Sequence, residues 1–136
     1  MNFSKTTSYA LMTLSFLADH KGEKYSAKQL NEILKIPWPY LRQLLTSLSK
    51  SGFIDSVQGR NGGFVLQKST DLITLADIID SVEGLDVLGT CIMGLEQCPF
   101  NHSCVMHKPW AKTREILLNV LKNTTLAQMK NPDMKH

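Results

Sequence analysis

Residues 26–66 read SAKQLNEILKIPWPYLRQLLTSLSKSGFIDSVQGRNGGFVL, and they spell two short helices followed by a tight β-ribbon. Ser26 and Gln29 have the S-x-x-Q spacing of a capping box, in which each side chain satisfies an unpaired amide at a helix start. A helix is therefore predicted from about Ala27 to Leu34. Pro37, Trp38 and Pro39 break it, and Pro39 fits a first helical turn, where a missing amide hydrogen costs nothing. Leu41, Leu44, Leu45 and Leu48 then recur at i, i+3, i+4 and i+7 as a core-facing stripe. Arg42, Gln43, Thr46, Ser47 and Lys50 take the other side. Ser51 and Gly52 end this second helix. Phe53 to Val57 and Phe64 to Leu66 are β-rich runs joined by Gln58, Gly59, Arg60, Asn61, Gly62 and Gly63, a hairpin with a mobile, cationic tip. Helix, turn, helix and ribbon in this order make a winged helix-turn-helix. In that architecture the second helix enters the DNA major groove and the wing reaches the backbone or minor groove.

Working outward, Ser4 can cap a first helix carrying Tyr9, Leu11, Leu14, Phe16, Leu17 and Ala18, which should end near His20, Lys21 and Gly22. Such a helix packs beneath the helix-turn-helix, so Tyr9 and Phe16 read as core. Beyond the wing, Gln67 to Leu72 is a polar connection. Thr74 and Asp77 repeat the capping-box spacing, and Leu75, Ile78, Ile79 and Val82 form a short amphipathic helix ending at Gly84, expected to prop the wing against the core. Residues 85–107 have little periodicity and read as a long loop with at most one helical turn. A loop of that length inside a compact domain calls for a reason such as a ligand. Pro109 restarts the chain, and a helix is predicted from about Trp110 to Lys122. Its Ala111, Ile116, Leu117, Leu118, Val120 and Leu121 are more apolar surface than one domain hides, so it is expected to pack on the same helix of a second copy. Thr125 to Met129 reads as one short helix and Asn131 to His136 as a loose tail. The fold class is thus mainly α with a small β-hairpin. Residues 1–84 form a winged helix-turn-helix, 85–107 a cysteine-rich loop, and 108–136 a dimerisation helix and tail.

Apolar residues at 43% and charged residues at 20% of 136 describe a globular chain with a real core. No apolar run is long enough for a membrane span, and Met1 to Ala18 lacks the basic start of a signal peptide, so the cytoplasm is expected. The net charge of +3 is unevenly placed. Residues 1–68 hold nine Lys or Arg against four acids, net +5, and residues 69–136 hold six against eight, net −2. The basic half is the half with the helix-turn-helix, as phosphate contact requires. No nucleophile, base and oxyanion arrangement stands out, which argues against an enzyme.

Cys91, Cys98 and Cys104 are separated by six and five intervening residues, and His107 follows Cys104 after two more. An odd, clustered set in a cytosolic protein points to metal or redox chemistry over a structural disulfide. Thiolates suit iron–sulfur clusters, zinc or copper(I), and imidazole can complete the set. The absence of a C-x-x-C pair lowers zinc. His102 is a second candidate ligand. The other chemistry open to this loop is a thiol switch, in which one cysteine oxidises and a neighbour resolves it.

Phe3-Ser4-Lys5 with Tyr9-Ala10-Leu11, then Tyr40-Leu41, the wing VQGRNGGF at 57–64 and the three-cysteine loop together resemble the bacterial Rrf-two family of regulators. The resemblance covers nearly the whole chain. It implies a homodimeric transcription regulator whose long C-terminal helices cross, with a cluster loop between them and the DNA-binding heads. It assigns Cys91, Cys98 and Cys104 as cluster ligands. IscR-like members add a histidine after the last cysteine, and His107 stands there. NsrR-like members can take a carboxylate near the N-terminus of the other subunit, where this chain has Ser8, which favours His107 or an exogenous ligand. A 2Fe-2S centre is expected first and a 4Fe-4S centre next. Relatives often carry Arg or Lys where Gln58 stands, so Arg60 is expected in the minor groove in its place. Trp38, Pro39, Tyr40, Arg42 and Gln43 surround the start of the recognition helix, with Arg42 suited to guanine and Gln43 to adenine. Trp38 also suits packing of the helix-turn-helix corner. Lys28 and Asn61 complete the expected DNA-facing set. The function implied is sensing of redox state, nitric oxide or iron–sulfur status, read out on a palindromic operator. A cluster-free thiol-switch regulator and an iron–sulfur electron-transfer or cluster-delivery protein are the alternatives.

Overall fold

The computed structural model describes residues 4–88, 91, 93, 98–101 and 103–129. Helix α1 (Lys5–Asp19) begins at Ser4, whose hydroxyl accepts the Thr7 amide hydrogen at 3.2 Å, and it ends at His20. Helix α2 (Ala27–Leu34) opens on the predicted capping box. The Gln29 amide donates to Ser26 Oγ at 3.1 Å and the Ser26 amide to Gln29 Oε1 at 2.8 Å. It closes on Lys35, which takes the left-handed conformation at φ 55°. Asn31 Nδ2 donates to the Ile36 carbonyl at 2.7 Å across that turn, which fixes the direction of helix α3 (Trp38–Lys50). Leu41, Leu44, Leu45 and Leu48 are all buried, joined by Ala10, Leu14 and Leu17 of α1 and Leu30 of α2 in the main core.

Strands β1 (Ile54–Val57) and β2 (Gly63–Leu66) pair antiparallel from Ile54 opposite Leu66 to Val57 opposite Gly63. A third segment joins them that the sequence pattern did not show: Tyr25 and Phe64 exchange backbone hydrogen bonds at 3.0 and 2.7 Å. This stitch explains Gly63, and the wing's own tight turn explains Gly62. A Cβ on Gly63 would stand 2.7 Å from the Tyr25 carbonyl carbon, and one on Gly62 would stand 2.1 Å from the Val57 oxygen. The wing and the start of α2 are thereby one unit.

The connection after β2 includes a 3-10 turn at Thr70–Leu72 before helix α4 (Leu75–Val82), capped as predicted by Thr74 and Asp77 at 3.1 Å in both directions. Helix α4 packs on α1, α3 and the C-terminal helix, whereas the wing rests mainly on α1 and α3. The expectation that α4 props the wing is corrected accordingly: its Ile78 and Ile79 are buried among helices. Its C-terminal Glu83 accepts the Ser4 amide hydrogen at 3.1 Å, placing a carboxylate at the positive end of α1.

Helix α5 (His107–Asn123) begins three residues before the predicted Trp110. Pro109 falls at its third position, where the chain still needs no amide hydrogen for the helix, so the proline is no barrier. Leu121 is buried with Ala76, Ile79 and Leu88, while Ile116 and Val120 are 58% and 54% exposed. Helix α6 (Leu126–Met129) then folds back. The Leu126 amide donates to the Ile73 carbonyl at 2.8 Å and the Leu75 amide to the Thr124 carbonyl at 2.9 Å, and Leu126 enters the main core. No helix among the described residues is long and apolar enough to cross a membrane. The expected tail from Asn131 to His136, like His102, lies outside the described residues.

Candidate nucleic-acid interface and cysteine pocket

The outer face of α3 and the wing enclose an open groove of about 460 Å³. Trp38 and Arg42 line it, as do Thr46, Ser49 and Lys50 further along α3, Ser56 of β1 and Phe64 of β2. Of the residues expected to meet DNA, Trp38 and Arg42 are therefore brought together in one place. Pro39 and Gln43 are exposed on α3 beside the groove, and Lys28 is exposed on the first turn of α2. Tyr40 is braced: its ring meets Tyr9 of α1 edge-on at 5.4 Å between centroids. At the wing tip Gln58, Arg60 and Asn61 are exposed around Gly59, whose φ of 107° lets the chain reverse. Sequence reasoning placed Thr46 and Lys50 on the polar side of α3 without assigning them to the interface. The i, i+4, i+8, i+12 spacing from Trp38 through Arg42 and Thr46 to Lys50 is the signal that finds them.

Behind the wing, Phe16, His20 and Tyr25 stack with centroids 4.3 to 5.6 Å apart. Glu23 accepts the Tyr25 hydroxyl hydrogen at 2.7 Å, which holds that phenol above its ordinary pKa. The cluster buttresses the strand-like Tyr25 from which the wing hangs.

A second, separate site lies at the start of α5. Cys91, Cys98, Cys104 and His107 line one cleft of about 90 Å³ together with Trp110 and Arg114. All three cysteines are half-buried thiols. The Met106 amide hydrogen points to Cys104 Sγ at 3.4 Å, and the His107 amide donates to the Cys104 carbonyl at 3.1 Å, so Cys104 sits in the turn that leads into α5. Hydrogen bonds to the sulfurs are one means by which a protein tunes a sulfur-ligated centre. Three thiols and an imidazole on one cleft fit an iron–sulfur cluster by donor chemistry. Among the described residues no three His, Cys, Asp or Glu side chains are close enough together to hold a single metal ion.

The profile of Rrf2, the iron-dependent transcriptional regulators, matches residues 3–132. The chain belongs to the Rrf2 family. The transcriptional regulator IscR of Erwinia tasmaniensis is 31% identical over 132 residues, spanning 96% of this chain and 79% of that protein. The structure of T. potens IscR superimposes with a TM-score of 0.75 at 28% identity, over 100% of this chain and 93% of that one. CymR, the global cysteine regulator of B. subtilis, gives 0.75 at 28% identity over 95% of both chains. An Rrf2 chain is a DNA-binding transcriptional regulator and not an enzyme. The winged helix-turn-helix is the fold of these relatives as well.

Proposed function

We propose that this regulator acts as a cytoplasmic homodimer that senses redox state, nitric oxide or iron–sulfur status through a cluster held by Cys91, Cys98, Cys104 and His107. The observation that carries the reading is the convergence of four soft or borderline donors, spread from residue 91 to residue 107, on one cleft beside α5. In this reading residues 1–84 read DNA, 85–107 hold the cluster and 108–136 join the two copies. The exposed Ile116 and Val120 support that last role, because apolar side chains on one helix face gain from burial against a partner. A cluster supplies a centre whose charge and ligation respond to oxidants and nitric oxide. The chain's own contribution is to hold the donors, with Cys104 seated in the turn that starts the dimerisation helix. A change at that turn shifts the balance between two dimer arrangements and so the operator affinity. Two-fold symmetry makes the operator a palindrome.

The test is an anaerobic absorption spectrum of freshly purified protein with iron and sulfide assayed on the same sample. About two irons and two sulfides per chain support a 2Fe-2S centre on this donor set, and about four of each support a 4Fe-4S centre. A colourless, iron-free protein after attempted reconstitution overturns cluster sensing. The second reading, a thiol switch on the same cleft, is favoured by the amide pointing at Cys104 Sγ, and it predicts reversible peroxide sensitivity in iron-free protein.

A further inference from the structure

The cysteine cleft holds more sulfur than its thiols. Met93 and Met106 line it together with Cys91, Cys98, Cys104 and His107, so five sulfurs and one imidazole border a single space. Neither thioether is withdrawn into an apolar core: Met93 is 56% exposed and Met106 38%. We propose that this cleft, in protein free of iron, is a binding site for copper(I), with the Met93 and Met106 thioethers among its ligands. Such a site goes beyond the cluster reading and takes up two residues which that reading does not use.

Donor chemistry selects the ion. Thiolate and thioether sulfurs are soft ligands that suit copper(I), whereas magnesium, calcium and manganese take carboxylates and carbonyls. Among the described residues no carboxylate lines the cleft, and its one charged side chain is the cation Arg114. A guanidinium opposes a bare divalent ion, but it complements the net negative charge of copper(I) held by a pair of thiolates. Structural zinc asks for a closed tetrahedron of Cys, His or carboxylate donors. Among the described residues no three such side chains stand close enough together to hold one ion. Copper(I) accepts linear or trigonal coordination, so a pair of cysteines completed by a thioether is a sufficient shell.

The backbone gathers these donors over a short length of chain. The Cys98 carbonyl accepts the Asn101 amide hydrogen at 3.4 Å, the Phe100 carbonyl that of Ser103 at 2.9 Å, and the Cys104 carbonyl that of His107 at 3.1 Å. Asn101 stands in the left-handed region at φ 50°, which tightens the reversal. These turns lead into α5, and the Met106 amide already points at Cys104 Sγ. A methionine side chain is unbranched with three rotatable bonds, so its sulfur can swing onto an ion while the turn stays in place. Copper enters and stays as copper(I). Each cysteine that ligates it releases its proton to solvent, the thioethers have none to lose, and no electron moves.

The experiment is an anaerobic titration of iron-free, full-length protein with copper(I), supplied as its acetonitrile complex, against a colorimetric copper(I) chelator as competitor. Saturable uptake is expected, with a rise in melting temperature because the ion binds the folded chain. Met93→Leu and Met106→Leu conserve volume. Each is expected to weaken copper(I) about tenfold and to leave iron and sulfide uptake on reconstitution unchanged. Unchanged melts of the metal-free variants exclude a folding effect. X-ray absorption at the copper edge should show a shell dominated by sulfur that thins in each leucine variant. Wild-type copper(I) affinity in both leucine variants overturns the inference, as does displacement of copper(I) by equimolar zinc(II). Methionine-dependent copper(I) uptake by protein that assembles no cluster supports the site and sinks the cluster reading alone. Normal cluster assembly without copper(I) uptake by the iron-free protein does the reverse.

Discussion

Helix α3 buries Leu41, Leu44, Leu45 and Leu48, whereas the longer α5 buries Leu121 and leaves Ile116 and Val120 more than half exposed. Both carry an amphipathic stripe in the sequence. The stripe of α3 is answered inside the chain by α1, α2 and α4; that of α5 is answered in part by α4 and otherwise faces outward. The difference separates a head whose apolar stripe is covered within the chain from an arm that keeps part of its apolar stripe exposed. The two regions also differ in chemistry, a groove lined by Arg42 and Lys50 on the one and a cleft lined by thiols on the other.

The largest effect that can break this contrast is in the core. Leu44→Ala should destabilise the protein by about 2–5 kcal/mol, because a fully enclosed side chain leaves a cavity. Ile116→Ala should cost a single chain less than about 0.5 kcal/mol. Denaturant melts at several protein concentrations read both: a concentration-independent loss at Ile116 as large as that at Leu44 would show that α5 is completed within its own chain. A smaller effect tests whether local signals hold the head. Ser26→Ala removes one arm of the capping box and should lower stability by about 1 kcal/mol, as should Thr74→Ala. Loss beyond about 2 kcal/mol in the same melts would mean these residues do more than cap.

Smaller again is the expected effect of the cysteines on the head. Cys98→Ser should shift the melting of cluster-free protein by less than about 0.5 kcal/mol, and after iron and sulfide reconstitution the variant should lack the visible chromophore expected of the wild type. A cooperative collapse of the head in that variant would merge the two regions. Last comes the Ser69–Asp71 contact at the far side of the core. The Ser69 hydroxyl donates to Asp71 at 2.9 Å and holds that carboxyl below its usual pKa. A depressed carboxyl adds stability above its unfolded pKa and loses it as pH falls through the lower folded value. Ser69→Ala should move the Asp71 titration back toward the ordinary carboxylate range, read by carbon-detected NMR, and an unmoved titration refutes the role given to Ser69.

The head was legible because its signals are local. Capping boxes at Ser26 and Thr74 act over three residues, the leucine stripe of α3 repeats within one helix, and the glycine pair of the wing marks a turn. The Tyr25–Phe64 stitch and the Thr74–Thr125 bridge were not legible, since each joins distant segments through backbone atoms that carry no side-chain pattern. The start of α5 was placed late for a related reason: proline was read as a beginning, and it is equally at home two residues inside. At the cysteine segment, residue types suggested Cys91, Cys98, Cys104 and His107 as a donor set, and the structure places the four on one cleft. The expected DNA-facing set took in Lys28, the start of α3 and the wing tip, but not Thr46 and Lys50, which come to line the same groove as Trp38 and Arg42 only once the wing is folded beside α3.

The return of Leu126 into the main core has a consequence for how the protein is made. Synthesis runs from the N-terminus, and the helices and ribbon of the head can form as they emerge. Their shared interior nevertheless lacks its last apolar side chain, the Ile73 carbonyl lacks the Leu126 amide and the Leu75 amide lacks the Thr124 carbonyl, until residues 124–126 arrive. A nascent chain halted within the cysteine segment presents an unfinished head, so a head with its interior closed appears only on chains that already carry their thiols and α5.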